Sequence, residues 1–220
     1  MTGPSPVERI AEIVFTAAGR RAAILGGGEP PGEAALAHWT ASADVFLAAD
    51  RAALGYARLP RRPDAVVGDM DTTTAAGNEP PHLHIADQDT TDVEKCLRHA
   101  LDLGCTEAVL IGATGRRLDH TLYNLSLVEG FADRLRICVA NAHGVSVRIG
   151  AGECVDWDLP AGTVFSIAPL QTPARPGKTS GARWPLDDAR SISNAVAAPP
   201  LRLEVREGSV LATVCHEAPS

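Results

Sequence analysis

Short apolar runs alternate with amphipathic segments over the first two thirds of the chain. The clearest amphipathic segments, residues 91–103 and 117–130, have the periodicity of helices. Strands that alternate with helices in this way form a parallel sheet covered on both faces. The pattern therefore predicts an α/β domain with a doubly wound, mostly parallel sheet, whose six strands lie near residues 22–27, 45–50, 65–68, 83–86, 108–113 and 136–141.

Helical periodicity disappears after about residue 144. Short runs follow in which apolar and polar residues alternate, as expected for strands with one buried face. The turn REGS (206–209) is predicted to join the last two strands as a hairpin, and the segment 171–200, rich in Pro, Gly and Ser, to form long loops. The sequence thus predicts an α/β domain over residues 1–143 and an all-β domain over residues 144–220.

Composition narrows the class of protein. A net charge of −7 and a pI near 5.5 argue against a nucleic-acid-binding surface. No apolar run approaches the ~18–20 residues that span a bilayer, and the N-terminus lacks a signal-peptide core. The five cysteines form no close pair, which favours reduced thiols. We therefore expect a cytoplasmic protein that binds neither nucleic acid nor a membrane.

Polar residues follow several of the predicted strands. Asp50 ends the second strand, and Asp69 and Asp71 follow the third. The carboxyl ends of parallel strands are where ligands bind in such sheets. Bringing Asp92 close to Asp69 and Asp71 requires a cation, because neighbouring carboxylates repel, and oxygen ligands suit Mg²⁺ shared with substrate phosphates. The sequence predicts this site; the alternative is that these aspartates cap turns and helices.

The stretch DQDTTDVEK (87–95) reads as the start of a helix. Thr91 and Glu94 fit a capping box, so the helix begins near Thr91. Asp92 then lies in the first turn, where the positive end of the helix favours an acid, whereas Lys95 is a cation in the same region. A phosphate between a metal and this helix start would account for both charges. The alternative is a surface ion pair between Asp92 and Lys95.

A glycine-rich turn, GATGRRLDH (112–120), precedes the second predicted helix. Gly112 and Gly115 allow a sharp turn or a close approach of the backbone to a ligand. One face of the helix carries polar residues that can reach such a ligand, and arginine suits phosphate oxygens: Arg117, His120 and Asn124. Another face is predicted to be core: Leu118, Leu122 and Leu125.

These three blocks resemble, in order and spacing, those of the thiamine pyrophosphokinase (thiamine diphosphokinase) family. The family motifs G-D-x-D-S, D-x-x-T-D-x-x-K and G-x-x-G-x-R-x-D-H correspond to GDMDT (68–72), DQDTTDVEK and GATGRRLDH. Two further motifs, G-x-x-[YW]-x-L and Ser-Asn, appear as GARWPL (181–186) and SISN (191–194). The chain departs from the pattern after Asp50, where Arg-Ala replaces Gly-Gly, and at Thr72, which replaces serine.

The resemblance implies an α/β domain followed by a β-sandwich domain, in a homodimer that holds thiamine between its subunits. It implies transfer of the pyrophosphoryl group of ATP to the hydroxyl of thiamine, giving thiamine diphosphate and AMP. Mg²⁺ would be held by Asp69, Asp71 and Asp92. The catalytic residues would be Asp71, Asp92, Lys95, Arg117 and Asp119. ATP would be bound by Asp50, Gln88, Thr91, Gly115, Arg117, His120 and Asn124.

The resemblance also implies a thiamine site in the C-terminal part of the chain. Trp184 would stack on the substrate, whose cationic thiazolium is attracted to an indole face. Ser193 and Asn194 would bond the aminopyrimidine, which offers both donors and acceptors. The general base is left open, with Asp119 as one candidate.

Three alternatives remain open from the sequence. The protein could be a pyrophosphokinase for another, pterin-like heterocyclic alcohol, although the block of Trp184, Ser193 and Asn194 argues against it. It could be a non-catalytic regulator that binds thiamine or a nucleotide, although such a protein does not need the acidic residues. It could be a zinc hydrolase that uses His82 and His84 with a cysteine, although their spacing matches no standard zinc site.

Overall fold

The computed structural model describes residues 6–15, 19–50, 52, 59–69 and 80–216. By its internal contacts the chain divides into two units, Ala17–Ala142 and a second unit made of Met1–Thr16 with His143–Ser220. The predicted boundary after residue 143 lies beside the boundary of these units. The N-terminal segment differs from the prediction, because its contacts group it with the C-terminal strands.

The described residues of Ala17–Ala142 form a six-stranded parallel sheet. Its spatial order is β6-β5-β1-β2-β3-β4, and every neighbouring pair is parallel. Each strand lies within a few residues of the apolar run that predicted it. The strands are β1 (Arg21–Leu25), β2 (Val45–Ala49), β3 (Ala65–Gly68), β4 (His82–His84), β5 (Glu107–Ile111) and β6 (Arg136–Ala140).

Three described helices accompany this sheet: α2 (Glu33–Ala41), α3 (Asp92–Asp102) and α4 (Leu118–Gly130). Helix α3 packs on β1, β2 and β3, and α4 packs on β6 and on α3. Both α3 and α4 lie where the sequence pattern predicted them. The buried apolar face of α3 consists of Val93, Cys96, Leu97 and Ala100.

The predicted core face of α4 is wrong. Leu118 and Leu122 are 71% and 59% exposed, and Leu125 is only half-buried. The helix instead buries Asn124, Leu127 and Val128. These three residues lie on a different side of the helix from the leucines, and they form the side that packs against the neighbouring elements.

The second unit consists of one helix and an antiparallel sheet. Its elements are α1 (Pro6–Val14), β7 (Gly144–Gly150), β8 (Cys154–Trp157), β9 (Val164–Pro176), β10 (Ser191–Ala195) and β11 (Leu201–Cys215). The strand order is β10-β9-β11-β7, and β8 pairs with the first part of β11. Helix α1 contributes Ile10 and Val14 to the buried apolar residues.

Two predictions about this unit are wrong. Residues 206–209 do not join two strands as a hairpin, because β11 runs without interruption from Leu201 to Cys215. Gly208 has φ +69°, and the register between β9 and β11 shifts around it, so the turn-like residues form bulges in one long strand. The segment 171–200 is not all loop either, because it contains the end of β9 and all of β10. No described helix is long and apolar enough to cross a membrane.

Candidate active site

The site of the α/β unit lies where the strand order of the sheet reverses. Strand β1 has β2 on one side and β5 on the other, and glycine-rich turns follow both β1 and β5. The N–H of Gly28 donates to the carbonyl oxygen of Gly112 over 2.7 Å. Gly112 and Gly115 have φ values of +62° and +82°, which confirms the predicted sharp turn. A crevice at such a reversal point is the usual ligand site of an open α/β sheet.

Three aspartates from three different elements meet beside this crevice. Asp50 follows β2, Asp69 follows β3, and Asp92 begins α3. One carboxylate oxygen from each lies within 4.8 Å of the others. Burial raises the pKa of Asp92, the carboxylates of Asp69 and Asp50 add to the rise, and Lys95 opposes it. Carboxylates held this close repel one another, so the arrangement suits a bound cation.

The acidic cluster differs in membership from the set that the sequence indicated. Asp50 was predicted as an ATP contact, whereas its buried carboxylate lies within the cluster. Its position at the end of a strand was the signal in the sequence. Asp71 lies outside the described residues. Among the described residues no other group of His, Cys, Asp and Glu is placed to hold a metal, so His82 and His84 form no zinc site there.

Lys95 and Gln88 contact the cluster directly. The Nζ of Lys95 donates to Oδ1 of Asp92 over 3.0 Å, and only 3% of the lysine side chain is exposed. The pair is therefore not the surface ion pair that the sequence left as an alternative. The Nε2 of Gln88 donates to Oδ2 of Asp69 over 2.8 Å. A buried cation and an amide thus bind two of the three carboxylates.

The aspartates of the stretch DQDTTD have different structural roles. Asp87 accepts hydrogen bonds from the hydroxyl of Thr90 and from the N–H of Asp89, which lower the pKa of Asp87 and shape the turn before α3. Thr91 is the N-cap residue of α3, and its hydroxyl accepts from the N–H of Glu94 over 3.3 Å, as predicted. Only Asp92 of this stretch belongs to the acidic cluster.

A cavity of about 490 Å³ lies next to the cluster. Such a volume is within the range of small-ligand sites. Most of the predicted ATP-binding residues line it, together with three residues of the predicted metal and catalytic sets: Gln88, Thr91, Gly115, Arg117, His120 and Asn124, with Asp69, Asp92 and Lys95. Gly27, Gly28 and Arg116 also line it, although no strong motif in the sequence indicates these three residues.

The first turn of α4 brings charged groups to this cavity. Arg117 precedes the helix, and its guanidinium binds both carboxylate oxygens of Asp119. This pairing lowers the pKa of Asp119 to about 2. Farther along, the Nδ2 of Asn124 donates to the carbonyl oxygen of Ala113 over 2.8 Å, which ties the helix to the turn after β5. Asp119 does not line the cavity, and its low basicity argues against the role of general base.

A second set of polar contacts joins α3 to α4. The hydroxyl of Tyr123 donates to Oε2 of Glu94 over 2.5 Å, and Arg98 donates to Oε1 of the same carboxylate over 2.7 Å. Glu94 is buried, and it stands next to Lys95 in the chain. The carboxylate of Glu94 therefore connects α3, which carries Asp92, to α4, which follows Arg117.

The predicted thiamine residues lie close together in the second unit. Trp184 is half exposed, and the guanidinium of Arg183 lies over its ring, 5.1 Å from the centroid. Asn194 is fully buried, and its amide bonds the main chain of Trp184. Ser193 is exposed and has φ +55°. Trp39 and Trp157, by contrast, are buried core residues.

Comparison with known proteins agrees with these features. Residues 36–139 match the family described as "Thiamin pyrophosphokinase, catalytic domain". No curated protein sequence gives a significant match. The matched segment includes the acidic cluster, Lys95 and Arg117 at the start of α4.

Several solved structures share the fold. The thiamin pyrophosphokinase of Geobacillus thermodenitrificans superposes with a TM-score of 0.75 at 22% identity, over 90% of this chain and 98% of that one. The yeast thiamin pyrophosphokinase gives 0.72 at 14% identity, over 92% and 88%. The Bacillus subtilis thiamine pyrophosphokinase gives 0.71 at 18% identity, over 89% and 98%. Residues 36–139, which contain the site, thus match the catalytic domain of the thiamin pyrophosphokinase family, and the chain shares the fold of solved thiamine pyrophosphokinases.

Proposed function

We propose that this enzyme transfers the pyrophosphoryl group of ATP to the hydroxyl of thiamine, giving thiamine diphosphate and AMP. The observation that carries the proposal is the acidic cluster of Asp50, Asp69 and Asp92, which stands beside the buried Lys95 at the edge of the cavity. Anionic and cationic groups in one crevice suit a metal together with a polyphosphate. The family match supports the choice of thiamine as the acceptor.

The acidic cluster fits Mg²⁺. Its three donors are carboxylate oxygens within 4.8 Å of one another, which is the donor type that this ion prefers, and Asp71 is a further proposed ligand. The bound ion would neutralise negative charge on the phosphates of ATP. Burial and the neighbouring carboxylates raise the pKa of Asp92, which indicates that ionising this residue is costly without a cation.

The remaining polar groups of the cavity would position ATP. Phosphoryl-type transfer depends mainly on alignment and charge neutralisation, so cations near the phosphates matter most. Lys95 is held by Asp92 on one side of the cavity, and Arg117 is held by Asp119 at the start of α4. Further proposed contacts come from residues that line the same cavity: Gln88, Thr91, Gly115, His120 and Asn124. In this proposal Asp119 orients Arg117, while Asp71 and Asp92 hold the metal.

Thiamine would be bound by the second unit, in a homodimer with the substrate between subunits. The half-exposed indole of Trp184 is available to a cationic ring, and Ser193 is exposed next to Asn194, which bonds the main chain of Trp184. Ile192 is 76% exposed on β10, which lies at the end of its sheet. An exposed apolar residue there suits burial against a second copy. All five cysteines are unpaired, which supports a cytoplasmic location.

The test is ³¹P NMR of the protein incubated with ATP, Mg²⁺ and thiamine. We expect AMP and thiamine diphosphate to appear together, and neither to form without Mg²⁺. ADP with thiamine monophosphate would contradict pyrophosphoryl transfer. An unchanged spectrum from folded protein would contradict the proposed reaction. Repeating the incubation with a pterin alcohol would then distinguish another acceptor from a regulator that only binds.

A further inference from the structure

We infer that Asn194 is a positioning residue that holds the main chain of Trp184 in place, and that it does not contact thiamine itself. The inference rests on the proposed function in one respect, which is that Trp184 contacts the substrate. It departs from the family resemblance, which implies that Ser193 and Asn194 both bond the aminopyrimidine. The evidence is the burial of Asn194 and the use of its hydrogen-bonding groups.

All the hydrogen-bonding groups of the Asn194 side chain are used within the protein. Its Oδ1 accepts from the N–H of Trp184 over 3.2 Å and from the N–H of Ala195 over 2.8 Å. Its Nδ2 donates to the carbonyl oxygen of Trp184 and to the hydroxyl of Ser191, both over 3.1 Å. A primary amide has two N–H donors and two acceptor lone pairs, so no group remains for a substrate. The residue has no exposed surface either.

The bonds to Trp184 belong to a larger pairing between the two C-terminal motifs. The N–H of Arg183 donates to the carbonyl oxygen of Ala195 over 2.8 Å, and Ala182 pairs with Val196 in an antiparallel bridge. Asn194 extends this pairing by one residue, because it binds both the N–H and the C=O of Trp184. The segment GARWPL is thereby attached to the end of β10.

This attachment matters because the Trp184 side chain is not fixed by burial. Its ring is half exposed, and Arg183 covers one face. A solvent-exposed indole can present the same face to each ligand only if the main chain of its residue is fixed in one conformation. Preorganisation of this kind lowers the entropy lost on binding. Asn194 supplies that restraint through two bonds to one residue.

Ser193 differs from Asn194 in its exposure and in its hydrogen bonds. It is exposed, and among the described residues its hydroxyl has no hydrogen-bond partner, whereas its N–H donates to the hydroxyl of Ser166 over 3.0 Å. That bond and the positive φ of Ser193 direct it away from the extended path of the strand. Of the two motif residues, Ser193 is therefore the one able to bond a substrate.

Tryptophan fluorescence tests the inference without any substrate. Trp184 is 50% exposed, whereas Trp39 and Trp157 are 0% and 3% exposed, so acrylamide should quench mainly Trp184. A Trp184→Phe variant identifies its share of the emission. In Asn194→Ala we expect stronger quenching than in the wild type, because Trp184 moves more freely. We also expect the KM for thiamine to rise about tenfold, a change of about 1.4 kcal/mol, with the KM for ATP unchanged.

Ser193→Ala is the matched control. We expect its quenching in the absence of substrate to equal that of the wild type, while its KM for thiamine rises. Wild-type quenching in Asn194→Ala together with a raised KM for thiamine would overturn the inference, because a ligand role alone gives that result. Absence of turnover in the wild type would contradict the proposed function and would leave the quenching comparison intact.

A milder variant covers the case in which Asn194→Ala does not fold. Ser191→Ala removes only the acceptor for the second N–H of the Asn194 amide. We expect the same direction of change in quenching, at smaller amplitude, in a protein with the wild-type circular dichroism spectrum. Unchanged quenching in folded Ser191→Ala, with Asn194→Ala either unfolded or unchanged, would overturn the inference.

Discussion

Lys95 Nζ donates to Asp92 Oδ1 over 3.0 Å while the same aspartate belongs to the acidic cluster with Asp50 and Asp69. The lysine is buried, and this carboxylate is its ion-pair partner. A paired buried charge is tolerated, whereas an unpaired one is strongly destabilising. Asp92 therefore both pairs with the buried lysine of α3 and belongs to the proposed Mg²⁺ site.

We expect Asp92→Asn to abolish Mg²⁺-dependent turnover in a protein that still folds but is less stable, because the buried Lys95 loses its charged partner. The substitution removes one negative charge from the cluster, while the amide oxygen can still accept from Lys95. The measurement is turnover at increasing Mg²⁺, with circular dichroism to verify folding. Asp89→Asn is the control, because Asp89 is exposed and lies outside the cluster. Near-normal turnover in folded Asp92→Asn would refute the metal assignment.

We expect Gly68→Ala to weaken Mg²⁺ binding. A Cβ at Gly68 would lie 2.5 Å from Cβ of Asp50 and 3.1 Å from Oδ1 of Asp92, so the two acids would have to move. Isothermal titration with Mg²⁺ measures the loss of affinity. In the control Gly130→Ala, a Cβ meets no atom within 4 Å, and we expect unchanged affinity with equal or slightly greater stability. Wild-type Mg²⁺ affinity in Gly68→Ala would contradict the prediction.

We expect Asp119 to contribute nothing to the pH dependence of turnover above about pH 5. Pairing with Arg117 lowers the pKa of Asp119 from 3.8 to about 2, so the carboxylate becomes protonated only as the pH falls below its ordinary range. A profile of kcat/KM for Asp119→Asn should keep the acid limb of the wild type, with a higher KM for ATP because Arg117 loses its partner. If the substitution removes the acid limb, Asp119 is the general base after all.

We expect Tyr123→Phe to lower the free energy of unfolding by about 1 kcal/mol, because the hydrogen bond to the buried Glu94 is lost. We also expect a higher KM for ATP, because this bond connects α3 to α4. Urea denaturation and steady-state kinetics measure the two effects. Ser126→Ala, which removes an exposed hydroxyl from the same helix, should change both far less. Equal effects in the two variants would contradict the specific role of Tyr123.

We expect the wild-type protein to sediment as a dimer and Ile192→Ser to shift it toward the monomer. Ile192 is an exposed apolar residue at the end of its sheet, and burying it against a second copy would stabilise the dimer. Leu122→Ser, on the exposed side of α4, is the comparison. A monomeric wild type would contradict the proposed homodimer. If Leu122→Ser dissociates the dimer and Ile192→Ser does not, the interface lies at α4 and not at β10.

The elements of the α/β unit could be predicted because each depends on local pattern. The apolar runs of β2 and β5 are buried along their whole length, and the Thr91 cap begins α3 at the predicted residue. Such features follow from the period of the pattern and from the capping chemistry of one side chain. The bulged β11 could not be predicted in this way, because REGS forms a turn or a bulge according to which strands lie beside it.

The sequence by itself determined the order of the strands along the chain, the start of α3 and the residue types of the site. Tertiary structure decided which of those residues meet. Asp50 joins Asp69 and Asp92 because β2 and β3 are neighbours in the sheet and α3 packs on both. It also decided that Leu118 is exposed while Asn194 is buried, against their hydropathy. Burial depends on what packs against each face, and that is a property of contacts between residues distant in the chain.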